Sequence, residues 1–476
     1  METRDPIQPD ILCIGGGIAG LMAAIRAGEL GADVVVAEKG NTLTSGAGGI
    51  GNDHFLCYLP KVHGPDVMPV IEELRRGQLR ARLKDTAKTR IWLEHTADIV
   101  NLWNSWGIPM KYQGRYEFAG HAYPQDSYPC HLKYEGRKQK AVLTKQALMR
   151  GVKIINRAMM FELFRDQGLF VTVGLNTRTG KLFEIQAKCV ILGTGTVARL
   201  YQGLTPGWMA NATRPGTLTG DGRIMAYKAG AELFNVETLE HHAGPKYFTR
   251  SGQATWVGVV RDPQDEPVGP FLTQPDRRYS DMIIEVDKEI FAKYARSGKG
   301  PLYMDCRDET TRSISPAAVF GWIAGEHAAG RIGEIETGLS VAGKTIIEEK
   351  AEMLRAMQRR ENGPDWKEAN IALQQIMSDY AGSIRSKALL ESGCAHLERL
   401  KQEAESFLVA RNPHQWSRAL EVLNLIELGQ LVCTAALERR ETRGQHNRVD
   451  YPYTNPVLDR TLIVKNVNGR PVTEWR

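Results

Sequence analysis

An α/β protein is what this sequence predicts: a Rossmann-like nucleotide domain first, a helical domain last. Three observations carry that reading. The run Ile11-Leu12-Cys13-Ile14 is a buried strand, and Gly15-x-Gly17-x-x-Gly20 turns it into a helix lined with small residues. A second apolar strand, Val34 to Ala37, ends in Glu38, an acid about 20 residues downstream of the turn. Far along the chain, Cys189 to Leu192 enters Gly193-Thr194-Gly195. An apolar strand ending on small residues is how a chain returns to a central parallel sheet after an excursion.

The first unit has a chemical reading. Gly15 allows the tight turn, Gly17 lets a pyrophosphate approach the backbone, and Gly20 lets helix and strand pack closely. A carboxylate at Glu38 accepts bonds from ribose hydroxyls and repels a 2′-phosphate. A glycine turn alone also fits a strand-to-helix connection with no ligand. Strand, turn, helix and closing acid together point to an adenine dinucleotide.

Composition narrows the class. The 476 residues suffice for two or three domains, and 42% hydrophobic with 24% charged residues is an ordinary balance. A net charge of +6 with no basic block gives no argument for nucleic acid. The cysteines at 13, 57, 130, 189, 306, 394 and 433 form no C-x-x-C pair, so the chain has no usual cluster or zinc spacing. Isolated thiols suit a reducing compartment. About nine mostly polar residues precede the first strand, leaving no room for a signal peptide. No apolar run approaches the roughly 20 residues of a membrane span. These features predict a cytoplasmic protein.

The elements follow in order. After the first unit the chain reads as largely helical from about 65 to 150, with loops around Gly120 to Gly136. Val152 to Ile155 and Phe170 to Val173 read as strands, the second followed by a polar hairpin. From 236 to 318 prolines and glycines punctuate short aromatic runs, with one amphipathic helix near Asp281 to Ala295, so this is an inserted domain. A strand over Val319 to Ile323 leads into Ala324-Gly325-Glu326 and returns to the nucleotide domain. The division is therefore 1–235 and 319–360 for the nucleotide domain, 236–318 for the insert, and 361–476 for the helical domain and tail. The best helix starts after Asn412-Pro413, carries Leu420, Leu423, Ile426, Leu431 and Ala435 largely on one face, and stops near Gly444. The tail has a short strand, Leu462 to Val464.

Several separated motifs resemble the flavoprotein subunits of the fumarate reductase, succinate dehydrogenase, L-aspartate oxidase and adenylylsulfate reductase superfamily. They are the N-terminal turn, Ser45-Gly46-Ala47-Gly48-Gly49-Ile50, Thr219-Gly220-Asp221-Gly222-Arg223, Ala324-Gly325-Glu326 and Glu441-Thr442-Arg443-Gly444-Gln445-His446. The resemblance covers most of the chain in the right order. It implies FAD, an α+β capping domain over 236–318, and the C-terminal helical domain. It places cofactor contacts at Gly15, Gly17, Ile18, Ala19, Gly20, Glu38, Lys39, Ser45, Gly46, Gly49, Ile50, Asn52, Thr194 and Gly195. Asp221 would bind ribityl or phosphate-side hydroxyls, and Glu326 the ribityl chain. The helix opened by Leu339-Ser340 would point its positive end at the flavin N1–C2=O edge. Asn52, Asp53 and His54 would border the ring. The superfamily's covalent members use a histidine just before the Gly-Gly-Ile turn; Thr42-Leu43-Thr44-Ser45 has none, so FAD is expected to be noncovalent.

The substrate residues depart from the resemblance. His242 stands at the carboxylate-binding histidine of fumarate reductases, but the Pro-Thr that follows there is missing. Ser280 stands where their proton-delivering arginine is expected, leaving Arg278 (or Arg277) in a shifted register, a pair that also fits a solvated face. Arg331 is the candidate for the substrate arginine after Ala-Gly-Glu. The segment from Met304 to Trp322 is short, through a reduced cap or an omitted loop. Gly244 to Arg250 with Trp256 would make an aromatic and basic cap surface, suited to an anion carrying a ring or to packing. The expected reaction is two-electron transfer between flavin and an anionic substrate oriented by His242 and an arginine among Arg250, Arg278 and Arg331. With no second nucleotide fingerprint and no cluster ligands, an iron–sulfur partner subunit is expected. An oxygen-using L-aspartate-oxidase-like enzyme and a flavoprotein with an inactive site stay open.

Overall fold

The computed structural model describes residues 6–49, 54–77, 86–111, 114–119, 130–202, 215–238, 260, 261, 264, 297, 303, 304, 314–333, 339–382, 384–443 and 446–476. From the N-terminus, β1 (Ile11–Ile14) passes through the glycine turn into α1 (Ile18–Glu29) and β2 (Val34–Glu38). A small antiparallel sheet and short helices follow. These are β3 (His54–Leu56), α2 (Pro60–His63), α3 (Met68–Gly77), α4 (Thr86–Glu94), α5 (Thr96–Ser105), β4 (Phe118–Ala119), β5 (His131–Lys133) and α6 (Gln139–Met149). Next come β6 (Lys153–Asn156), an antiparallel sheet of β7 (Ala158–Asp166), β8 (Leu169–Asn176) and β9 (Leu182–Ala187), and β10 (Cys189–Leu192). Then follow α7 (Asp221–Lys228) and β11 (Leu233–Phe234), and a short pairing of β12 (Val260–Arg261) with β13 (Tyr303–Met304).

The central sheet is parallel, in the order β10-β1-β2-β6. Its strands read as near-continuous apolar runs because both faces are covered, and β1 and β2 are buried throughout. Strand order reverses at β1, so a crevice opens beyond the carboxyl ends of β1 and β10. The turn built there needs its glycines. Gly15 has φ 98°, and a Cβ on Gly20 would stand 1.9 Å from the Gly15 carbonyl oxygen.

Val319 to Ile323 is helix, not strand: it lies within α8 (Ile314–Ala329). The apolar run misled because α8 is covered by protein on several sides. The signal for helix is Gly321 and Gly325, four apart, which seat α8 against α1. A Cβ at Gly321 would fall 2.4 Å from the Ala19 oxygen, and one at Gly325 2.2 Å from that of Ala23.

The C-terminal helices begin where their caps predict. α9 (Val341–Arg359) starts at Ser340, whose hydroxyl accepts from the Gly343 N–H. α10 (Trp366–Tyr380) opens with a capping box of Asp365 and Glu368, and α11 (Lys387–Phe407) with Ser386. α12 (Pro413–Glu438) is capped by Asn412, with Pro413 at its first position. It ends at Glu438, short of Gly444, and is buried all round rather than on one face. Among the described residues it is the one helix long and apolar enough to cross a bilayer, with 72% of its most apolar stretch covered by protein. The tail is a hairpin, β14 (Leu462–Val467) and β15 (Arg470–Trp475), turning at Asn468-Gly469 with both φ positive.

The Glu-Thr-Arg motif is a buried ion cluster. Glu441 joins Arg439 (2.9 Å) and Arg443 (2.8 Å), and Arg439 reaches Glu237 (2.5 Å), all fully or almost fully buried. Arg385 donates to the Glu237 carbonyl (2.7 Å) and contacts His446 (2.9 Å), whose other ring nitrogen meets the Arg439 carbonyl at 2.8 Å. Burial first, and then the Arg385 charge, push His446 down to about 3, so it is neutral at pH 7. Glu237 is thereby fixed at the point where the chain leaves for the insert.

Candidate cofactor and substrate cleft

A cleft of about 1170 Å³ opens at the carboxyl edge of the central sheet. Its floor is Gly15, Gly17, Ile18 and Ala19, with Glu38 and Lys39 from the end of β2 and Thr194 and Gly195 beyond β10. Ser45, Gly46 and Gly48 cover one side. Gly20 lies behind the floor, against Gly15, and Gly49 closes the 44–49 turn by donating to the Gly46 carbonyl at 3.0 Å. Ile50, Asn52 and Asp53 lie outside the described residues.

Glu38 is buried, and its two carboxylate oxygens accept from the Gly16 and Gly40 N–H groups, each at 2.7 Å. That fixes the carboxylate at the floor with lone pairs left for hydroxyls. Gly17 caps α1 with no side-chain bond, and the first turn of α1 carries no acid. Its N–H groups and positive helix end therefore suit an anion.

Lys39 and Asp221 form a second feature. The Lys39 ammonium donates to Asp221 (2.8 Å), Glu421 (2.8 Å) and the Thr219 hydroxyl (3.1 Å). Asp221 also accepts from Thr219 (2.9 Å) and Asn424 (2.9 Å). Glu421 is paired further with Arg199 (2.5 Å) and Arg418 (2.7 Å). Burial would raise the Glu421 carboxyl, yet Lys39, Arg199 and Arg418 hold it down to about 2. Asp221 lines the cleft, with one carboxylate oxygen taken by Lys39 and Thr219 and the other by Asn424. Sequence reasoning missed His414, Ser417, Arg418 and Glu421, which line the cleft from α12. Their signal was an acid and an asparagine, Glu421 and Asn424, inside an apolar helix.

The remaining wall combines Leu56, Lys88, Thr89, Trp92 and Phe234 with the opening turn of α8 at Ile314, Pro316 and Ala317, and Phe320 beyond it. The Trp92 indole N–H donates to Ser315 at 2.9 Å, and the Lys88 ammonium stands 4.6 Å from the Phe234 ring centre. The helix whose amino end meets this wall is thus α8. Leu339 and Ser340 are not among the residues lining it: the Ser340 N–H donates to Asp166, at the end of β7, at 2.8 Å.

Glu326 and Arg331 are also displaced from the expected site. α8 begins at the cleft, and Glu326 lies six residues, about 9 Å along the axis, beyond Phe320, the last of its residues to line the cleft. There Glu326 pairs with Arg26 at 2.8 Å with half its side chain exposed, and Arg331 follows on the surface. His242, Arg250, Arg278 and Trp256 lie outside the described residues.

Comparison with known proteins agrees with this geometry. A family model described as FAD binding domain matches residues 10–254, and one described as fumarate reductase flavoprotein C-term matches residues 370–475. A fumarate reductase (CoM/CoB) subunit from Methanothermobacter marburgensis is 22% identical over 544 residues, covering 96% of each chain. That alignment is longer than this chain, so the relative carries internal stretches absent here. L-aspartate oxidase 1 of Ralstonia nicotianae is 23% identical over 534 residues, covering 94% of this chain and 96% of the relative. The solved adenylylsulfate reductase of Archaeoglobus fulgidus shares the fold at TM-score 0.78 and 18% identity, covering 99% of this chain and 96% of that one.

FAD fits the residues present. The uncapped amino end of α1 would suit a diphosphate, Glu38 a ribose, and the wall of Leu56, Trp92 and Phe320 a planar ring. Precipitation in acid is expected to leave a colourless pellet with all flavin in solution; a yellow pellet would show a covalent link.

Proposed function

Because the chain belongs to the FAD-binding flavoprotein family typified by fumarate reductase, we propose that it is a catalytic subunit passing electrons between noncovalent FAD and a small anionic substrate. It is an FAD-dependent oxidoreductase. What supports the anionic substrate is that the first turn of α8 and Lys88 line the same cleft as the glycine turn.

FAD when bound supplies a two-electron acceptor and donor at its ring. The protein's part is electrostatic and geometric. N–H groups at the start of α8 hold negative charge in the cleft, and Lys88 draws in the substrate's anionic group. The Trp92–Ser315 bond fixes the wall against which the ring lies. On the sequence resemblance, His242 and an arginine among Arg250 and Arg278 are assigned to the anion, a guanidinium being suited to hold it bidentately. Arg331, on the far surface, takes no part.

Electrons arrive through an iron–sulfur partner subunit. The chain has no second dinucleotide fingerprint and no C-x-x-C spacing, and the Methanothermobacter relative is itself one subunit of a larger enzyme. Anaerobic purification tests this directly. A yellow complex with a second, iron-containing chain, oxidised by fumarate or adenylyl sulfate, is the expected result. A stable, active, iron-free protein would refute the partner. The likeness to L-aspartate oxidase 1 over 94% of the chain favours one other reading, in which oxygen accepts the electrons. Rapid peroxide formation from L-aspartate by the isolated chain would establish it.

A further inference from the structure

We propose that Lys140 is a positioning residue for FAD, its buried ammonium clamping the Gly16 carbonyl and supplying, behind the glycine turn, a positive charge for the diphosphate. Lys140 is 1% exposed, in the first turn of α6, and its one hydrogen bond among the described residues runs to the Gly16 oxygen. The Gly16 N–H donates to Glu38 at 2.7 Å, so this residue of the turn is held by an acid on one side and an amine on the other. Next to it, Gln139 donates to the Gly48 carbonyl at 3.0 Å and accepts from the Tyr134 hydroxyl at 2.6 Å. The start of α6 therefore supports both backbone turns that line the cleft.

A lysine here is costly without a ligand. It is desolvated, and it puts a cation at the positive end of a helix. Burial pushes Lys140 down to about 8, with Glu38 opposing. Glu38, from β2, is the charged group that faces it. The turn before α1 offers the Gly16 carbonyl, while Arg26 and Glu29 of α1 are paired far away with Glu326 and Arg150. Lys138 and Lys145 beside it are exposed. A diphosphate seated on the turn would add counter-charge beyond that of Glu38, whose oxygens already accept from the Gly16 and Gly40 N–H groups.

The sign follows from linkage. A bound diphosphate favours the protonated amine, so FAD takes up a proton above pH 8, and affinity falls by at most about tenfold per pH unit there. FAD titrations of the apoprotein by flavin fluorescence, from pH 6.5 to 9.5, read this out, with thermal melts checking the fold. The parent is expected to bind evenly to about pH 7.5 and progressively more weakly above 8. K140M should bind at least tenfold more weakly at pH 7, without that slope. K140R, charged throughout, should keep its affinity to pH 9.5. If K140M does not fold, K140R decides alone, since a flat profile supports the assignment and the parental slope overturns it. K140M binding with parental affinity and slope overturns it as well.

Discussion

Gly20→Ala is expected to give a protein that purifies without colour and melts far below its parent. The added Cβ would stand 1.9 Å from the Gly15 oxygen and 3.1 Å from its carbon, both backbone atoms that cannot rotate away. The turn and α1 would have to part by more than an ångström. α1 is also held from behind, by α8 at Ala19 and Ala23, so it cannot retreat as a unit. Overpacking costs about 1–3 kcal/mol, and a clash with fixed backbone puts this one at the upper end. It also moves the N–H groups that receive the diphosphate, so FAD affinity should drop by at least about a hundredfold, a loss of some 2.7 kcal/mol. The ratio of 450 nm to 280 nm absorbance after purification, and a urea titration of the apoprotein, measure the two effects separately. Normal flavin content in Gly20→Ala would mean that the turn is not the diphosphate site.

The second large effect is expected at Glu421→Ala. This carboxylate is 1% exposed and compensates Lys39 and Arg199, both largely buried, along with Arg418. Its removal leaves those cations facing one another across a cleft wall with Asp221 alone to balance them. Removing one partner of a buried ion pair costs about 3–5 kcal/mol, a large share of a domain's stability. The acid limb gives an independent check. Glu421 titrates at about 2 in the folded chain, below the ordinary carboxylate value of 4.5. Its stabilising contribution is therefore full above pH 4.5 and is lost as pH falls toward 2. Glu421→Gln should flatten stability against pH within that window, while Glu421→Ala lowers the urea midpoint at pH 7. An unchanged midpoint for Glu421→Ala would remove the ion network from any role in holding α12 to the nucleotide domain.

What the sequence revealed was local in origin. The strand, glycine turn, helix and acid of the first 38 residues are an uninterrupted segment, and each residue type has one physical reason to stand where it does. The caps at Ser340, Asp365, Ser386 and Asn412 were readable for the same reason, and the first and last of them opened helices in the sequence reading. What escaped was long-range. Glu421 meets Lys39 across 382 residues of chain, and no window of sequence reports that. α8 escaped because a five-residue apolar run satisfies strand and buried helix alike. That error carried Glu326 and Arg331 with it. Three letters, Ala-Gly-Glu, suggested a turn at the ring, whereas those residues sit near the distal end of a helix whose opposite end approaches it.

The way the insert is moored bears on how such a protein diversifies. The excursion between 238 and 314 leaves from a carboxylate bolted into the C-terminal arginine cluster and returns through a helix locked by two glycines to the dinucleotide helix. Both moorings belong to the scaffold, not to the excursion. If the excursion holds the substrate residues, as proposed, insertions, deletions and exchanges within it would retune what the enzyme accepts, while retention of its coenzyme stays under separate selection. A lineage could change its diet by rewriting some seventy residues and leave the rest of its inheritance alone.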